Sequence, residues 1–192
     1  MQRFILTGTP GAGKTTLLHH LAERGHRVVE EAATDLITAE QARGTAEPWA
    51  HPDFVDQVAA LQRRRQEQEP EPGRLATAQV QFHDRSPVCT LALARYLDRP
   101  VSPFLAAELD RITRERIYRP QVFFVRNLGF CEPTAVRRIS YPEALRFERL
   151  HEQAYQELGF TLVDVPAADL PTRLATVEAA LEELTRSSPV SH

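Results

Sequence analysis

Lysine is almost absent from this sequence. Of its 23 basic side chains 22 are arginine, and the one lysine is Lys14. Methionine and tryptophan occur once each, and cysteine twice, at Cys89 and Cys131. Two cysteines that form no CxxC pair argue against a disulfide framework or a zinc cluster and suit a reducing compartment. No apolar run approaches the ~18 residues that a membrane-spanning helix needs. The short apolar stretch near the start meets glycines rather than a cleavage site, so the expectation is a cytoplasmic protein without a secretory leader. A net charge of −3 removes the electrostatic case for bulk nucleic-acid binding. Any anion has to be held by a local site.

At 192 residues, with 42% hydrophobic and 26% charged residues, the chain is long enough for one domain with a core on both faces of a sheet. The pattern alternates. Strands are expected over 3–7, 26–31, 77–86, 120–127 and 160–166, with helical text between them. Gly25 and Gly159 stand where helices should stop, and Ser140 with Glu143 forms a capping-box signature ahead of a long helix. The third strand is the weakest, because Gln79, Gln81 and His83 interrupt Val80 and Phe82. Strands alternating with helices imply right-handed crossovers and a parallel sheet covered on both sides. In such sheets ligands bind beyond the carboxyl ends of the strands. That rule gathers Gly8 onward, Glu30 and Glu31, Asp84 and Arg85, and the segment after Val125 onto one edge.

The first of these carries the sharpest signal. Gly8-Thr9-Pro10-Gly11-Ala12-Gly13-Lys14-Thr15, followed by Thr16, fits G-x-x-x-x-G-K-[ST] in full, between a predicted strand and a predicted helix. Glycines let the backbone wrap phosphate oxygens, and the helix start adds its positive end. Lys14 brings a compact charge to the β- and γ-phosphates, and the Thr15 hydroxyl can ligate Mg²⁺. Arginine would not replace it, since the planar guanidinium is larger and rigid. This is a P-loop, and it predicts a nucleoside triphosphate, with ATP and Mg²⁺ as cofactors. No NKxD guanine signature is present, and no arginine-finger arrangement of a ring ATPase is evident.

Layout and length resemble the nucleoside and nucleotide kinase group of P-loop proteins. More narrowly, the chain resembles the small AAA-domain ATPase/kinase family related to the nicotinamide riboside kinase half of bifunctional NAD regulators. Beyond GTPGAGKTTL, the resemblance is carried by GHRVVEEAA, DRSP at 84–87, RRISYPEALRFERLHEQAYQELGF at 137–160 and VDVP at 163–166. It implies a three-layer α/β fold with a five-stranded parallel sheet in the order 2-3-1-4-5, one domain over 1–186, a lid over about 128–142 and a tail over 187–192. It departs at strand four, where an acidic residue is expected and Arg126 and Asn127 stand instead.

Roles follow from the resemblance. Asp84 would hold Mg²⁺ together with Thr15, and Arg85 would grip the acceptor or the transferring phosphoryl group. A carboxylate at the end of strand two would take the proton of the attacking hydroxyl. Consecutive strand residues face opposite sides, so only one of Glu30 and Glu31 can do so, and the resemblance favours Glu31. Arg137 or Arg138 would act from the lid on the transferring phosphoryl. Trp49, His51, Phe54 and Gln57 lie where this group builds its acceptor pocket, and core packing explains Phe54 equally well. Arg63-Arg64-Arg65, interleaved with glutamine and glutamate, reads as a solvated helix face. The expected activity is phosphoryl transfer from ATP to a small-molecule acceptor. The alternative is a nucleotide-binding regulatory module or NTPase that acts through a protein partner.

Overall fold

In a computed structural model, which describes residues 1–68, 78–129 and 140–186, the chain folds around five parallel strands. These are β1 (Gln2–Gly8), β2 (Arg27–Val29), β3 (Val80–Asp84), β4 (Gln121–Val125) and β5 (Thr161–Val165). Their order is β2-β3-β1-β4-β5. The helices are α1 (Lys14–Glu23), α2 (Ala32–Ala42), α3 (Phe54–Glu67), α4 (Pro87–Tyr96), α5 (Pro103–Arg114), α6 (Tyr141–Glu157) and α7 (Leu170–Arg186), with a 3₁₀ turn at Pro48–Ala50. Among the described residues no helix is long and apolar enough to cross a membrane.

Alternation along β1 divides the core. Phe4 and Leu6 face α1 and α7, where they meet Leu17, Leu21, Leu174 and Val177. Ile5 faces the other layer, built by α3 to α6 around Val88, Leu105, Ile112 and Tyr155. Phe123 packs edge-on to Phe4 and tilted against Phe82, each with ring centroids 5.7 Å apart. These three rings bind the central strands together on the α1/α7 face.

All five expected strands are present, and β3 explains why it was hard to read. It lies between β2 and β1, and all five of its residues are buried, polar ones included. Val80 and Phe82 serve the α1/α7 core, while His83 sits edge-on to the Tyr118 ring with centroids 5.0 Å apart. Gln81 and His83 thus point away from that core yet are buried, while Asp84 shares the parity of Phe82, and burial rather than solvent explains the alternation.

Helix starts follow their sequence signals. Ser86 and Ser102 accept from Val88 N and Leu105 N, each with a proline in the first turn. Ser140 and Glu143 form the reciprocal capping box at α6. Of the expected lid, residues 130–139 lie outside the described residues, and so do Arg137, Arg138 and Cys131. The expected tail lies outside them too.

Candidate functional site

The carboxyl ends of β1, β2 and β3 meet at one cleft. Register fixes this: Leu6 is level with Asp84, and Gly8 is level with Val125. At Gly8 the chain must leave the sheet at φ +138°, and a Cβ built there would lie 2.1 Å from Val125 O. Only glycine lets the loop turn so close to β4. Gly13, at φ +77°, then starts α1 without a side-chain cap, leaving the first-turn N–H groups to the loop's hollow.

Lys14 returns over this loop. Its ammonium donates to Thr9 O at 3.0 Å, and the residue is only 7% exposed. Burial, with Arg85 nearby, pulls its pKa down to about 8, while Asp84 and Glu31 oppose the shift. Thr9 is in turn bound through its side chain, donating to Glu148 and accepting from Asn127 Nδ2. Thr15 and Thr16 are exposed at the mouth, and Pro10, Gly11, Gly13 and Lys14 line the cleft. Ala12 is buried behind it.

Glu31 is the N-terminal cap residue of α2, and its carboxylate reaches Arg85 Nε at 2.6 Å. Thr34 donates to its other oxygen at 2.9 Å. Burial acts to raise the Glu31 pKa, yet Arg85 and Lys14 prevail and hold it below the usual carboxylate range. Glu30 is exposed and borders an adjoining hollow with Asp84 rather than the cleft, and its carbonyl accepts from Arg65. The structure therefore brings Glu31, not Glu30, together with Lys14 and Arg85 around one cleft of about 450 Å³.

Arg85 adopts a left-handed backbone, φ 71°, and is buried. Its Nη1 donates to His151 Nε2 at 2.9 Å, and His151 Nδ1 donates to Phe147 O at 2.8 Å. Because arginine only donates, this pair of bonds fixes the neutral Nδ1–H tautomer. Burial and the neighbouring guanidinium hold the imidazole pKa well below its ordinary value. Asp84 ends β3 beside these groups. Burial raises its pKa to about 6, Lys14 opposes this, and Glu31 adds to it.

Asp84 Oδ1 is buried and makes no hydrogen bond to the described residues. Asp84 and Thr15 both line a second hollow of about 520 Å³ next to the cleft. A carboxylate with an unpartnered oxygen and a threonine on one hollow suit a hard cation with few protein ligands, as Mg²⁺ requires. Among the described residues no cluster of three metal-ligating side chains exists, which is consistent with such a sparse set.

The far wall of the cleft was not foreseen. It is made by Ile37, Val58, Gln62, Thr90, Leu93 and Phe147, drawn from α2, α3, α4 and α6. Thr90 donates to Gln62 Oε1 at 2.8 Å. Phe54, expected in this pocket, is instead 2% exposed in a small core with Ala32 and Val58, against which Trp49 packs. The Trp49 and His51 carbonyls accept from Arg99. Arg65 is also more than a solvated residue: it pairs with Asp35 and so ties α3 to α2. Arg126, where an acid was expected, is itself surrounded by acids: Glu148, Glu152 and Asp164.

This sheet order with a glycine-rich loop after β1 defines a P-loop α/β protein. A family model described as "AAA domain" matches residues 3–173, and the chain belongs to that family. No curated protein shows a significant sequence match to it. Among solved structures, NadR protein in complex with NR superposes with TM-score 0.68 at 18% identity, over 100% of this chain and 52% of that one. Deoxyadenosine kinase from M. mycoides, with products dCMP and a flexible dCDP bound, superposes with TM-score 0.55 at 14% identity, over 95% and 100%. The same kinase with bound dCTP gives 0.54 at 13% identity, again over 95% and 100%. The chain thus has a nucleoside-kinase-like P-loop fold and spans about half the NadR chain.

Proposed function

We propose that the protein is an ATP-dependent kinase that phosphorylates a hydroxyl of a nucleoside-like small molecule. The observation that carries this reading is the mixed lining of one cleft: Lys14 and the loop, the paired Glu31 and Arg85, and an apolar wall with the Gln62 amide all border the same space. A cleft made only to hold phosphates would not need the wall of Ile37, Val58, Leu93 and Phe147.

In this reading the loop N–H groups and Lys14 hold the β- and γ-phosphates. The acceptor hydroxyl sits near Glu31, which takes its proton as the acceptor oxygen bonds to the γ-phosphorus. The bond from that phosphorus to the bridging oxygen breaks, and ADP leaves. Glu31 is suited to this role because Arg85 and Lys14 keep it ionised while Thr34 orients it. Arg85 faces the same space and would meet the charge that spreads over the equatorial oxygens. Asp84 and Thr15 are the residues that would hold Mg²⁺, which when bound neutralises phosphate charge. Arg137 and Arg138 are proposed to add charge from the lid.

A screen of nucleosides, vitamins and sugars for acceptor-stimulated ADP release tests the proposal. The expected result is one acceptor class that yields phosphorylated product in proportion to ADP. Turnover that needs only water and does not change across the panel overturns it, and favours an NTPase that acts through a protein partner.

A further inference from the structure

Against the glycine-rich loop, and not among the residues that line the cleft, lies a buried cation that no motif marks. Arg173, in the first turn of α7, is 3% exposed. All three of its side-chain nitrogens donate to main-chain carbonyls. Nε reaches Pro166 O at 3.0 Å, Nη2 reaches Arg126 O at 2.9 Å, and Nη1 reaches Ala12 O. These acceptors belong to the turns after β5, β4 and β1. No carboxylate pairs with it among the described residues, and burial alone draws its pKa below the usual guanidinium value.

Three carbonyls satisfy the hydrogen bonds of a guanidinium but leave its charge uncompensated. Keeping a whole positive charge out of water without a counterion is costly. A purely mechanical tether between three loops would not require it. The position suggests what does. Ala12 O and Gly13 N–H belong to one trans peptide and point in opposite directions. Gly13 lines the cleft, and its missing Cβ would lie 3.2 Å from Arg173 Nη1. A donor on the carbonyl side strengthens the N–H on the other side, because hydrogen bonds in a chain polarise one another.

We propose that Arg173 is a positioning residue of the phosphate site: it holds and polarises the 12–13 peptide and backs the loop with a second buried positive charge, so that a bound polyphosphate is its counterion. This rests on the reading of the loop as a phosphate site but not on the identity of the acceptor. It assigns to α7 an electrostatic share in phosphate binding beside that of Lys14 and the loop N–H groups.

The test uses inorganic tripolyphosphate, which has neither base nor acceptor, and ATP, both by calorimetry. Arg173→Met is expected to weaken tripolyphosphate and ATP binding about tenfold or more, the scale of losing a charged hydrogen bond. Arg173→Lys, which keeps the charge but cannot reach three carbonyls, is expected to fall between Met and wild type; it carries the test if the Met variant does not fold. Val177→Ala, in the same helix but facing the core, serves as control: it should melt earlier with unchanged tripolyphosphate affinity. An Arg173 variant that behaves like this control, losing melting temperature but binding tripolyphosphate within twofold of wild type, overturns the proposal. Wild-type protein that binds neither probe overturns the phosphate-site reading itself, and the inference with it.

Discussion

Arg85 donates from Nη1 to Nε2 of His151 across 2.9 Å, and both residues are buried. The imidazole is neutral and acts only as acceptor on this side, because its Nδ1 proton is committed to Phe147 O. Glu31 holds the Nε edge of the same guanidinium. Arg85 is therefore clamped from α2 and α6 before any ligand arrives.

Removing the acceptor should release the clamp. His151→Phe keeps the ring but leaves Arg85 Nη1 unpaired, whereas the Oε1 of His151→Gln can stand where Nε2 was. The expected outcome is a fall in kcat of about tenfold in the Phe variant, the worth of one hydrogen bond to a charge, with ATP affinity kept and kcat largely restored in the Gln variant. Equal losses in both variants would assign His151 to packing alone.

Glu31→Gln removes the proposed base while keeping its shape. Loss of a positioned general base costs about 10²- to 10⁴-fold. With the acceptor found by the screen, kcat should drop by that range while nucleotide binding survives. Turnover within a few-fold of wild type would move the base elsewhere.

Lys14 gives a pH-dependent signature. Its pKa in the free protein is about 8, against an ordinary 10.5. Between these values the unfolded chain binds more protons than the folded one, so this group's contribution to stability rises with pH there. A phosphate next to the ammonium restores its proton. Nucleotide binding at pH 9 should therefore take up a substantial part of one proton, and at pH 7 almost none from this group. Calorimetry in two buffers of different ionisation enthalpy measures the uptake directly. Identical heats at pH 9 would contradict it.

Gly8→Ala should be among the most disruptive single-methyl changes in the chain. The added Cβ meets Val125 O at 2.1 Å, a backbone atom that can move only if β1 and β4 part. Added to the positive φ, this should cost about 3 kcal/mol or more. Urea denaturation measures it, and an unchanged midpoint would show that the loop exits the sheet by another path.

The glycine-rich part of the cleft was legible because it is local: eight consecutive residues hold a strand exit, a hollow and a cation. The sheet was legible for a similar reason, since apolar runs and helix caps act over a few residues. What escaped is non-local. Gln62, His151 and Arg173 sit on helices with nothing nearby in sequence to mark them, and they reach the site only through packing. Phe54 shows the converse: its position suited a pocket and a core equally, and packing gives it to a core. Arg126 stands where an acid was expected, and the acids that surround it, Glu148, Glu152 and Asp164, come from α6 and β5, where residue order does not announce them.

Lys14 and Glu31 are also carried by different parts of the sheet. Lys14 follows β1, the middle strand, which is hydrogen-bonded on both sides. Glu31 follows β2, a three-residue strand at the edge that is paired only with β3. On the proposed function, the donor half would be built where the fold can change least, and the acceptor half where it can change most readily. A lineage that keeps this sheet could then alter its acceptor by reshaping α2 and its short strand, without disturbing the glycine-rich loop.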